Sequence, residues 1–177
     1  MSHSISLVKM GKDGYEIEAT FPEDLSPEQE EFVKKESIPD KSSAGDVIFK
    51  QNNENLLLSF IFTIPKTDGR SNIAALVSLF QQTERYLQSS IYNDLNNYKA
   101  FATEVFKLLI DELSNVSLIN LDFIRNILPI LYQGLDSGHV KIEIDEIIKF
   151  EHRFGKKTTS KDELAMRAFM EEMSMRK

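Results

Sequence analysis

Few residues in this chain have a type and spacing that could do chemistry, and Arg70 stands out among them. It closes the stretch Pro65-Lys66-Thr67-Asp68-Gly69-Arg70, between the apolar runs 57–64 and 71–80. Asp-Gly is a strong turn signal, because glycine accepts positive φ and Asp tolerates the left-handed region. The guanidinium is therefore expected to stand free in solvent. Delivered into a nucleotide site, it would neutralise charge developing on the transferred phosphoryl oxygens, worth about 10³–10⁵ in rate. The ordinary alternative is a surface charge that keeps a turn soluble.

The remaining candidates are weaker. His3, His139 and His152 lack the two-His helical spacing of a zinc protease, and a metal site needs three or four converging ligands. No metal is expected. Acids cluster at Glu28, Glu30 and Glu31 and again at Glu143, Asp145 and Glu146. Paired carboxylates can hydrolyse glycosides, but on short amphipathic segments they read as solvated faces. The 7 glycines are scattered and form no phosphate-cradling loop, so the chain is not expected to be a P-loop GTPase. No Gly-x-Ser-x-Gly elbow occurs. With no cysteine, thiolate zinc sites, disulfides and a cysteine nucleophile are excluded. No cofactor is expected.

Composition sets the frame. A chain of 177 residues, 41% hydrophobic with 12 Phe, can bury a core as one domain, and 28% charged residues make a soluble surface. The net charge of −7 argues against nucleic acid and anionic membranes as partners. One local basic group, Arg153, Lys156, Lys157 and Lys161, is interrupted by Glu151 and Asp162. No apolar run approaches the roughly 20 residues of a membrane-spanning helix. The first residues show neither a basic-plus-apolar leader nor a myristoylation glycine, so a cytoplasmic location is expected.

The elements that must position these residues follow from periodicity. Residues 5–9 and 15–21 read as strands joined through Lys12-Asp13-Gly14, with Tyr15, Ile17, Ala19 and Phe21 on one face. Ser26 as N-cap and Pro27 at the first helical position open a short helix. Residues 37–46 form a loop, and strands follow at 47–50 and 57–64. The run after Arg70 stays open. Its apolar density suits a buried strand, while Ile73, Leu76, Val77 and Phe80 also fit a helix.

Helices are expected over 94–113 and from Asn120 or Asp122 onward, the latter kinked or shortened at Pro129 and ended by Gln133–Gly138. Val140–Ile144 alternates like a strand, but Ile144, Ile147, Ile148 and Glu151 fit a helix, and helix is the reading taken. Ser160-Lys161-Asp162-Glu163 is a capping box before a final helix. Leu164, Met166, Phe169, Met170 and Met173 form a flexible apolar stripe there, suited to an adaptable partner or to packing back on the body.

With the run after Arg70 as strand, the order is two strands, a short helix, three strands, then long helices. That order resembles the longin domain: a five-stranded antiparallel sheet with one helix on one face and two on the other. The strand, arginine-bearing loop and further apolar element around Arg70 are similar to those in longin domains of nitrogen permease regulator-like proteins and folliculin, relatives of DENN-type regulators. The resemblance covers about residues 5–135.

It implies an α/β (α+β) longin-like domain over 1–135 with a helical extension over 136–177. It further implies that Arg70 is an arginine finger acting on a small GTPase, so the chain would be a GTPase activator or adaptor without a catalytic pocket of its own. Expected partners are a small GTPase or another longin- or roadblock-type protein. Two alternatives stand beside this reading: a homodimeric structural adaptor of a vesicle-trafficking-type complex, and a small-ligand sensor or enzyme with a sheet–helix pocket.

Overall fold

A computed structural model describes residues 4–52, 54–65, 71–81 and 91–155. Strands β1 (Ser4–Gly11) and β2 (Gly14–Phe21) form a hairpin and α1 (Pro27–Glu36) follows. Strands β3 (Val47–Gln51), β4 (Asn55–Pro65) and β5 (Ser71–Gln81) come next. All five make one antiparallel sheet in the order β2-β1-β5-β4-β3. Helices α2 (Leu95–Asn115) and α3 (Leu121–Ser137) lead into a separate hairpin of β6 (His139–Ile144) and β7 (Ile148–Arg153). No helix among the described residues is long and apolar enough to cross a membrane.

The run after Arg70 is strand. Its eleven residues pair with β4 from Asn55↔Gln81 to Pro65↔Ser71. Both strands are apolar on both faces because both faces are covered. Leu56, Leu58, Phe60, Phe62, Leu76 and Phe80 pack under α2 and α3, while Leu57, Ile61, Ala75, Val77 and Leu79 pack on the opposite side with Val33 of α1. The apparent helical spacing in β5 is the coincidence that a doubly buried strand produces.

The helices begin where their caps dictate. The Ser26 hydroxyl accepts from the Gln29 N–H and the Gln29 side chain accepts from the Ser26 N–H, a reciprocal box closed by Pro27 in the first turn. Asp94 caps α2, and Asn120, not Asp122, caps α3. Pro129 does not shorten α3: the helix runs through it to Ser137, without the hydrogen bond Pro129 cannot donate. It ends at Gly138, whose φ of 77° is left-handed.

Two expectations are overturned. Tyr15, Ile17, Ala19 and Phe21 do not share a face: Tyr15 and Ile17 pack on the α1 side, Ala19 and Phe21 on the α3 side. The cause is a bulge. Leu7 opposes Ala19 but Val8 opposes Ile17, so Glu18 is an extra residue and the alternation changes phase there. The helix expected over 140–151 is the β6–β7 hairpin, with Ile144↔Ile148 at its tip. Asp145 and Glu146 have φ of 45° and 60°, so the chain turns back between the isoleucines that had matched a helix.

That hairpin is not part of a helical extension. Val140, Ile142, Ile148 and Phe150 are buried in the α2–α3 core. Gly134 lets it approach, since a Cβ there would lie 2.8 Å from the Val140 Cα and 2.9 Å from the His139 carbonyl oxygen.

Candidate functional site

The scaffold for Arg70 is the β4–β5 hairpin. Leu57, Leu58, Ile61, Ala75, Leu76 and Val77 are at most 1% exposed, and Pro65 still pairs with Ser71 beside the turn. β1 pairs with β5 as far as Lys9↔Ala74, which brings the β1–β2 turn at Lys12-Asp13 to the same end of the sheet. Arg70 itself lies outside the described residues. So do Leu164, Met166, Phe169, Met170 and Met173, with Lys156, Lys157 and Lys161 of the basic group.

The most connected charged cluster was not legible in the sequence. At the β2 bulge, Glu18 binds Lys9 at 2.7 Å and Arg125 of α3 at 3.3 Å, and Arg125 also binds Asp122 at 2.6 Å. Its hydrogen bond to Glu18 holds the Lys9 ammonium above the usual lysine range, although partial burial works against the charge. Glu18 and Arg125 are 107 positions apart, so only the fold joins them. The cluster ties α3 to the β1–β2 edge. With all its charges paired, it is built to hold elements together rather than to take a ligand.

His139 and His152 fall on the β6–β7 hairpin, and His3 lies outside the described residues. His152 is 3% exposed, stacks on Phe101 at 5.4 Å and lies 3.3 Å from the Glu104 carboxylate. His139 and Arg153 both flank Glu151 at 3.2 Å. Desolvation opposes ionisation of Glu151, but the two bases outweigh it and the carboxyl titrates below its usual range. The acids of α1 stay on the surface, Glu30 pairing with Lys34 at 2.9 Å. Among the described residues no three His, Asp or Glu side chains gather as metal ligands.

Two grooves flank α1. One of about 510 Å³ is lined by Tyr15, Pro27 and the Glu30–Lys35 side of the helix. The other, about 460 Å³, lies between Phe32 and the end of β3 at Lys50. Both are open furrows lined largely by solvated charges, a form that suits surface recognition better than an enclosed reaction. No family model matches the chain, and no curated protein matches it.

Proposed function

We propose that the chain is a longin-type protein-interaction domain that regulates or scaffolds a small GTPase, with Arg70 as an arginine finger. The observation that carries this reading is the layering of the sheet. Helix α1 lies alone on one face and α2 with α3 on the other, over five antiparallel strands in the element order expected of such domains.

The β4–β5 hairpin supports the role of Arg70. A finger acts through its guanidinium's fixed charge and planar donors, and its rate effect depends on being presented from a rigid base. Eleven paired positions ending at Pro65↔Ser71 supply that base. The reading needs no cofactor of the chain's own and goes with a cytoplasmic location, where small GTPases work.

The test is single-turnover GTP hydrolysis by candidate small GTPases of the same genome, with the wild-type chain and with Arg70→Ala. Stimulation on the order of 10³-fold that is lost in Arg70→Ala, with binding retained, is the expected result. Binding by both forms without stimulation overturns the finger and leaves a scaffold. Absence of both binding and stimulation overturns the GTPase reading.

A further inference from the structure

We propose that the outer edge of β3 is a homodimer interface, where two copies of this chain pair antiparallel about Ile48 and join their sheets. The ladder to β4 decides which backbone groups β3 leaves over. The Asn52 N–H donates to the Asn55 carbonyl and the Ile61 N–H to the Asp46 carbonyl, each at 3.0 Å, with Ile48↔Ser59 and Lys50↔Leu57 between them. Hydrogen-bonded pairs alternate in an antiparallel ladder, so Ile48 and Lys50 turn their backbone groups toward β4, as Asp46 turns its carbonyl, while the Asp46 N–H donates to the Ser43 carbonyl. Val47 and Phe49 turn theirs outward. No described strand lies beyond β3, and the Val47 side chain is 43% exposed. An edge with an exposed apolar side chain that no described strand pairs is a template for another strand.

The side chains select a second copy as the occupant. With Ile48 opposite Ile48 of the second copy, Val47 falls opposite Phe49 in both directions. These pairs use the outward groups of both chains. The same register sets Asp46 opposite Lys50 twice, at the closer, non-hydrogen-bonded positions, where Cβ atoms come about 4.5–5.5 Å apart. Asp46 and Lys50 are both exposed. One Asp46 oxygen accepts from the Ser43 N–H at 2.8 Å, which leaves the other for the lysine. On the opposite face, Val47 meets Phe49, over whose ring Lys99 sits at 3.9 Å. Sliding by two residues sets Lys50 against Ile48 and Asp46 against Asn52, so the charge match exists in this register alone. Five-residue strands bury little area, so the dimer is expected to be weak, dissociating at about 10–100 μM.

Sedimentation equilibrium of the full chain over a range spanning ~1 to 300 μM tests this. The wild type should show a reversible monomer–dimer equilibrium. Val47→Pro removes an outward N–H that the fold does not use. It should weaken the dimer by about tenfold or more and leave the unfolding midpoint in place. Lys50→Asp should weaken it by roughly tenfold through like charges, and Asp46→Lys combined with Lys50→Asp should restore it to within about threefold. A wild type that stays monomeric, a Val47→Pro dimer of unchanged strength, or a double variant no tighter than Lys50→Asp would each overturn the proposal. The pairing is independent of Arg70, and a GTPase assay reads the two apart.

Discussion

At one edge of the sheet β2 carries an extra residue, Glu18, whose carboxylate is held by Lys9 and by Arg125 of α3. At the other edge β3 matches β4 residue for residue and ends its pairing side with Val47 43% exposed. A bulge and an inward charge are what keep an edge from pairing with another chain. Among the described residues β2 carries both devices, whereas β3 has no bulge and only its short length and Lys50 to set against pairing. The difference teaches that, among the described residues, β3 is the edge left without a bulge, whereas the same chain blunts β2 with side chains on three separate elements.

The largest effect should come from removing the bulge. Deleting Glu18 makes Ile17 and Ala19 adjacent, so Tyr15 and Ile17 keep the α1 face and Ala19 and Phe21 the α3 face, while the bulge and the carboxylate that joins Lys9 to Arg125 are lost. With both Glu18 contacts gone and the edge re-laid without its bulge, the loss should be about 1–2 kcal/mol by chemical denaturation. A loss no greater than that of an ordinary surface substitution would show that neither the bulge nor its carboxylate holds the edge in place.

Glu18→Gln keeps the bulge and removes only its charge, so its cost should be smaller, about 0.5–1 kcal/mol at neutral pH. The sign of its pH dependence follows from Lys9. Its folded-state value is raised, so the contribution is complete below the ordinary lysine value of about 10.4 and fades as pH rises through the folded value. The stability gap between wild type and Glu18→Gln should therefore hold from neutral pH to that point and close only above it. Closure at lower pH would assign the gap to another group.

Val47→Pro should have the smallest effect on the monomer, within roughly 0.5 kcal/mol, because an edge strand tolerates proline where the N–H faces outward. The same substitution at Ile48, whose N–H faces β4, should cost several times more. Equal costs at the two positions would contradict the assignment of inward and outward groups.

How much of this was legible depends on how local the cause is. The caps of the helices were written in adjacent residues: Ser26 with Pro27 and Gln29, and Asn120 three positions before its partner amide. The bulge was not, because the alternation of residues 15–21 looks unbroken until Leu7 and Val8 are laid against it. The β6–β7 hairpin was misread for a similar reason. Its turn uses Asp145 and Glu146 at positive φ without the glycine that usually signals such a turn, and its isoleucines straddle the bend at helical spacing. The strand after Arg70 became readable only as the partner of β4, buried on both faces. Of the candidate site, the scaffold strands were legible. The Glu18–Arg125 contact, across 107 positions, had no signal in the sequence.

Amide hydrogen exchange at the two edges, as a function of protein concentration, sets them against each other in one experiment. On raising the concentration from about 1 to 300 μM, the Val47 and Phe49 amides should gain protection while β2 amides on either side of Glu18 stay unchanged. Protection that is independent of concentration at Val47 and Phe49, or that rises at β2 instead, would contradict the assignment of β3 as the open edge.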